Sequence, residues 1–213
     1  MKVECVTLGS FATNCYLLAP EKGRQVVIID AGLDPDGLAD QIKARQLTPG
    51  ALILTHGHID HIGGVWGLRR LFPQVPVYIH SLDAPMLEDP DSNLAYLAGL
   101  DGLDVSADQL VRDGQEIVFD QIQLRVIHTP GHTPGSISLY CAEQGLVFTG
   151  DALFAGSIGR TDLPGGNYQQ LIRSIKTRLL TLPRRTLVYP GHGPTTTIAR
   201  EIDDNPFLVE GAA

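Results

Sequence analysis

Little in this chain favours a disulfide framework, a membrane span or a nucleic-acid surface. The three cysteines, Cys5, Cys15 and Cys141, are odd in number and widely spaced, with no Cys-x-x-Cys pair. Neither a zinc ribbon nor a set of disulfides is suggested, and reduced thiols in a cytoplasmic setting are the expectation. No uncharged apolar run approaches the roughly 20 residues that a membrane helix needs. The amino-terminal Met1-Lys2-Val3-Glu4-Cys5 lacks the apolar core of a signal peptide. Basic charge is also in short supply: 16 Lys and Arg stand against 24 Asp and Glu, a formal net charge of -8. A nucleic-acid footprint needs clustered cations, so that class of partner is disfavoured. There is no fixed-period repeat, low-complexity tract or obvious linker.

What is present suits a packed enzyme domain. Hydrophobic residues make up 43% of 213 residues, enough for a substantial core. Short apolar runs over 2–8, 15–19, 25–30, 51–54, 76–80, 116–119, 122–128, 137–141, 146–149 and 186–189 predict strands. Val26-Val27-Ile28-Ile29 and Leu187-Val188-Tyr189 are continuous, as expected of strands covered on both faces. Asp34-Pro35 predicts a helix start, with Leu38, Ala39 and Ile42 on the buried side. A second helix is expected over about 63–72. A third starts after Asn167, with Tyr168, Leu171, Ile172, Ile175 and Leu179 at helical spacing. The acidic segment 81–113, with Glu88, Asp89, Asp91, Asp101, Asp104, Asp108 and Asp113, is expected to be a solvated connection with a helical turn or two; its length also suits a lid. Strands and helices run through both halves without a composition break, so 1–213 is expected to be one α/β domain of layered sheets and helices.

The chemistry-bearing residues cluster. His56-Gly57-His58-Ile59-Asp60-His61 packs three imidazoles and a carboxylate into six positions directly after the apolar run Ala51-Leu52-Ile53-Leu54. Imidazole and carboxylate are the ligands of zinc and related first-row ions, and open α/β sheets place their chemistry at such strand ends. Thr129-Pro130-Gly131-His132, Thr149-Gly150-Asp151, Tyr189-Pro190-Gly191-His192 and Ile29-Asp30-Ala31-Gly32 each follow a predicted strand as well. Five histidines and two carboxylates exceed one tetrahedral ion and suit a two-metal site. His80 is read as structural, and His128 as a residue orienting a ligand from behind. Cys5 and Cys15 lack a base partner and are read as structural.

With His56-Gly57-His58-Ile59-Asp60-His61 followed in order by His132, Asp151 and His192, the chain resembles the metallo-β-lactamase superfamily. That resemblance implies a four-layer αββα sandwich with the site at the edge of two sheets. It implies one divalent ion on His56, His58 and His132, a second on Asp60, His61 and His192, and Asp151 bridging them. Zinc is expected, and iron or manganese suits the same ligands. Asp60 would also orient a bridging hydroxide, and Asp30 would support the ligand loops.

The run from Gly150 to Asp162, with Gly159-Arg160-Thr161-Asp162 at its end, is similar to the glyoxalase II branch, the hydroxyacylglutathione hydrolases. Asn205-Pro206-Phe207-Leu208 is similar to its short bacterial members, which lack the branch's C-terminal helical domain. The implied reaction is thioester hydrolysis of S-lactoylglutathione or a related acyl-glutathione, with Arg160 either binding a substrate carboxylate or, on an equal footing, forming a structural salt bridge with Asp162. Typical members have lysine at the Arg160 position and tyrosine where Asp162 stands. The same signature also resembles persulfide dioxygenases, which hold one iron on equivalents of His56, His132 and Asp151 and oxidise glutathione persulfide. Metal identity and oligomeric state are not legible.

Overall fold

The computed structural model describes residues 1–103 and 105–209. Asp104, counted in the acidic segment above, and the last four residues of the 1–213 domain expectation lie outside the described residues. Strands β1 (Lys2–Leu8), β2 (Thr13–Ala19) and β3 (Gln25–Ile29) form an antiparallel meander. Helix α1 (Pro35–Ala44) then crosses to β4 (Thr48–Ile53), which pairs with β3 in parallel. After α2 (Ile59–Ile62) and α3 (Val65–Leu71), β5 (Val77–His80) and β6 (Gln109–Val111) extend this sheet, both parallel. The second sheet begins with β7 (Glu116–Phe119), β8 (Ile122–His128), β9 (Ile137–Cys141) and β10 (Leu146–Gly150), all antiparallel. A small hairpin, β11 (Leu153–Phe154) and β12 (Ser157–Ile158), and helix α4 (Tyr168–Ser174) precede β13 (Leu187–Pro190), parallel to β10. The edge strand β14 (Thr196–Thr197) and α5 (Ile198–Asp204) complete the chain.

Residue alternation explains the layering. Tyr16, Leu18, Val27, Ile29, Ala51 and Ile53 meet Leu124, Val126, Leu139 and Phe148 between the two sheets. Their neighbours Leu17, Val26, Ile28, Leu52 and Leu54 point the other way, against Leu38, Ile42, Ile62 and Leu68 of α1–α3. On the far side Ile127, Val147 and Val188 pack under Leu171, Ile175, Leu179 and Ile198. A side-chain period of two on strands that are apolar on both faces gives a helix–sheet–sheet–helix sandwich, αββα. Among the described residues no helix is long and apolar enough to cross a membrane.

Several expectations need correction. The helix expected over about 63–72 is present as α3 (Val65–Leu71), but a separate short helix not expected from the sequence, α2, precedes it inside the histidine cluster. The helix after Asn167 widens into a π turn over Ile175–Leu179, and Tyr168 points into solvent. Leu187 is exposed at the start of β13, because only the two-residue β14 lies beyond it. Segment 81–113 holds the helical turns expected of it, as 3₁₀ turns over Ala84–Leu87 and Ala95–Ala98, but also contributes β6, a strand too short and too exposed to carry a pattern. Strands β11, β12 and β14 were likewise too short for the sequence pattern to reveal. Asp34 caps α1 as expected, accepting from Gly37 N at 2.9 Å, and Leu38, Ala39 and Ile42 are buried beneath it.

Candidate metal centre

Five chain segments leave the sheets at one end and converge. The turn after β4 delivers His56 and His58, and α2 adds Asp60 and His61 on its first turn. Loops after β8, β10 and β13 bring His132, Asp151 and His192. The donor atoms of His56, His58 and His132 gather within 4.8 Å of one another, as do those of Asp60, His61 and His192. Asp151 lies between the two groups, with Oδ1 3.3 Å from His61 Nε2 and Oδ2 3.7 Å from His132 Nε2 and 3.5 Å from His192 Nε2.

The hydrogen bonds behind the rings aim their free nitrogens inward. Asp30 Oδ1 accepts from Thr55 N at 2.7 Å, and its Oδ2 accepts from the Thr55 hydroxyl at 2.8 Å and from His61 Nδ1 at 2.8 Å. Because the Thr55 proton goes to Asp30, its oxygen accepts from His56 Nδ1 at 3.1 Å. His132 Nδ1 donates to the Arg160 carbonyl at 2.8 Å. With Nδ1 engaged in this way, the Nε2 atoms of His56, His61 and His132 face the centre. Asp30 holds its place in the left-handed region, φ 61°, a conformation that Asp tolerates better than most residues.

The donor set fits first-row cations. Tetrahedral ligands at the usual zinc distances stand about 3.3 Å apart. Here His58 Nδ1 and His132 Nε2 are 2.9 Å apart, His61 Nε2 and His192 Nε2 3.3 Å, and His192 Nε2 and Asp60 Oδ2 3.1 Å. His56 Nε2 and Asp151 Oδ1 are buried without any hydrogen-bond partner, an arrangement that is costly unless something binds them. Gly191 lets the chain pass directly beside Asp151: an added Cβ would collide with Asp151 Oδ1. The cluster is a His/Asp metal-binding site.

Electrostatics divide the cluster. Burial, reinforced by His132, pushes the His58 imidazole down to about 3, and burial also holds His56 neutral. Burial opposes the charged form of His192, but Asp151 and Asp60 outweigh it and raise His192 to about 9. His61 is raised in the same way by Asp60, Asp151 and Asp30. Burial also works against ionised Asp60, yet His61 and His192 hold it at about 2. Asp60 is therefore an ionised, acceptor-only group.

Other residues singled out in the sequence lie around the cluster. His128 Nε2 donates to the Pro134 carbonyl at 2.9 Å and its ring stacks on His80 at 4.3 Å, so its hydrogen bond reaches the His132 loop rather than a cluster imidazole. Arg160 stands at the cavity mouth in a two-bond pair with Asp162, at 2.9 and 2.8 Å. Sequence reasoning missed Thr13, whose hydroxyl donates to Asp60 Oδ2 at 3.1 Å, and Asn14, whose amide donates to the Pro190 and Gly193 carbonyls around His192. It also missed Asp83, which binds two ligand loops at once. Asp30, just past a predicted strand end, and Thr55, adjacent to His56, were the supports with a positional signal.

The sequence profile described as Metallo-beta-lactamase superfamily matches residues 8–192, and the chain belongs to that superfamily. Within it, the chain is 41% identical over 209 residues to the probable metallo-hydrolase YqgX of Bacillus subtilis, covering 98% of each chain. It is 36% identical over 210 residues to the hydroxyacylglutathione hydrolase GloC of Haemophilus influenzae, again covering 98% of each. Among solved structures, the BLEG-1 B3 metallo-beta-lactamase superposes with TM-score 0.93 at 43% identity, over 98% of this chain and 100% of that one. TTHA1623 in a di-iron-bound form gives 0.86 at 41%, over 97% and 100%. ETHE1 from Myxococcus xanthus gives 0.80 at 34%, over 97% and 84%.

Proposed function

We propose that this protein, a metallo-hydrolase by family, hydrolyses thioesters of small thiols, with S-lactoylglutathione and related acyl-glutathiones as the substrates to try first. The observation that carries the reading is the pairing of two ligand triads around Asp151 at the floor of an open cavity. A pair of divalent cations held there, zinc first and iron or manganese on the same ligands, brings water toward ionisation at neutral pH and polarises a carbonyl oxygen. The likeness to the di-iron form of TTHA1623 supports two ions, and the likeness to GloC supports the thioester.

His56, His58 and His132 would hold one cation, and Asp60, His61 and His192 the other, with Asp151 shared. Asp60, steadied by the Thr13 hydroxyl, accepts a hydrogen from the attacking water and orients its lone pair. Water adds to the thioester carbonyl, the C–S bond breaks, and the products are a carboxylate and a thiol. Among the described residues, Arg160 is the only titratable group lining the cavity that does not belong to the cluster, so none of them offers a separate general acid there. None is needed for a leaving thiol with a pKa of about 8.5. No cysteine competes as nucleophile: burial pushes the Cys15 thiol up, and its sulfur accepts from Gly32 N. Arg160 would take a substrate carboxylate in place of Asp162.

The test is metal content by mass spectrometry alongside two assays. Two ions per chain and loss of the thioester absorbance of S-lactoylglutathione are expected. One iron per chain, with oxygen uptake on glutathione persulfide, would replace this reading with the dioxygenase.

A further inference from the structure

The cavity above the cluster has a volume of about 290 Å³ and eleven lining residues. Five belong to the cluster and one is Arg160. The other five, Phe11, Leu94, Leu97, Phe154 and Leu163, are all apolar and come from separate parts of the chain. Leu97 is 50% exposed and Phe11 37%. Their neighbour Tyr96 is 62% exposed. Large apolar side chains gathered at a site mouth mark a surface that something covers.

This wall is anchored to the metal loop. Leu94 holds φ at +66°, a left-handed conformation that is an outlier for a bulky residue and persists only when its surroundings impose it. Asn93 imposes it. Its carbonyl accepts from Ile59 N at 2.7 Å, next to His58. Its side chain, fully buried, donates to the Met86 carbonyl at 2.8 Å and accepts from Ala95 N at 2.9 Å. The segment carrying Leu94 and Leu97 is therefore tied directly to the ligand loop. Among the described residues, Arg160 is the one Arg or Lys at this rim, in an exposed pair with Asp162 that a substrate carboxylate would replace.

We infer that this wall is an acyl subsite: the preferred substrates carry an unbranched apolar acyl chain of roughly four to eight carbons, as a cavity of this modest size would take, rather than the short hydroxylated lactoyl group. The inference rests on the thioesterase reading and names its substrate class. A reacting carbonyl at the cluster puts the acyl chain or the thiol arm against the rim. With Arg160 exchanging Asp162 for a glutathione carboxylate, the five hydrocarbon side chains offer nothing to the remaining charged groups of the thiol arm, whereas an alkyl chain gains by leaving water. A lactoyl hydroxyl gains nothing there.

The experiment uses the metal-loaded protein and a series of glutathione thioesters: acetyl, lactoyl, butyryl, hexanoyl and octanoyl. kcat/KM should rise roughly two- to four-fold per methylene until the rim is filled, with hexanoyl ahead of lactoyl by about ten-fold or more. The half-exposed Leu97→Ser variant should lower the hexanoyl-to-acetyl ratio several-fold. A flat series, or a ratio unmoved by Leu97→Ser, overturns the acyl subsite while leaving thioester hydrolysis intact. Calorimetric binding of hexanoate and acetate separates the two ideas. If hexanoate binds tighter but no thioester is cleaved, the subsite stands and the thioesterase reading falls. Equal binding without cleavage overturns both.

Discussion

The Thr133 hydroxyl donates to Asp83 Oδ2 at 2.6 Å across 50 residues of sequence. The same carboxylate accepts from Gly57 N at 3.1 Å and from Gly135 N at 2.6 Å. Asp83 thus ties the loop carrying His56 and His58 to the loop carrying His132. Burial pushes its carboxyl up, against the pull of these donors. A Cβ at position 135 would press on Asp83 Oδ1 and N, so glycine allows the approach.

Removing Asp83 strands buried donors and frees both loops. Asp83→Ala is expected to weaken metal affinity by about 10- to 100-fold and to cost about 2–4 kcal/mol of stability. Competition with a chelator and denaturant melts would check both. Wild-type metal affinity in a folded Asp83→Ala protein would exclude the tie.

The shared position of Asp151 makes loss of metal and loss of turnover inseparable. His58→Ala and Asp151→Ala should each lose bound metal together with activity, measured as ions per chain and thioester turnover on the same sample. Full activity in a metal-depleted Asp151→Ala preparation would contradict the two-ion mechanism.

Arg160 must exchange partners to bind a carboxylate, and exposed ion pairs of this kind are worth only about 0–1 kcal/mol. Arg160→Ala should raise KM for glutathione thioesters more than it lowers kcat. Asp162→Asn, which frees the guanidinium, should lower KM. Steady-state kinetics on both variants decides; an unmoved KM in both removes Arg160 from substrate binding.

Buried His80 stacks on His128 at 4.3 Å with an interplanar angle of 7°. Burial, then the neighbouring His128, lowers its pKa. The unfolded chain therefore binds this proton more readily than the folded one below the ordinary histidine pKa of about 6.5. In that window stability rises with pH and is lost on acidification. Melting temperatures from pH 7.5 down to about 5.5 should fall more steeply for the wild type than for His80→Gln. Parallel curves would sink this assignment.

How much was legible follows from the range of each interaction. Strands β1, β7, β8 and β9 matched their apolar runs because burial on a sheet acts locally, residue by residue. The seven cluster residues were legible because His and Asp are among the few side chains that ligate first-row cations, and they fall in runs that follow predicted strands. Thr13 and Asn14 carried no such mark. Their partners, Asp60 and the Pro190 and Gly193 carbonyls, lie 47 to 179 residues away. Helix α2 was hidden because its four residues, Ile59–Ile62, are too few to show a helical spacing.

The sequence alone determined the layered α/β character, the seven candidate ligands and the family, because these depend on residue type and on spacing along the chain. Only the tertiary structure decided that Asp83 binds two loops, that Arg160 turns to Asp162, and that five apolar side chains wall the cavity beside the cluster. Those outcomes depend on which distant segments the packing of two sheets brings within a few ångström, and no local pattern encodes that.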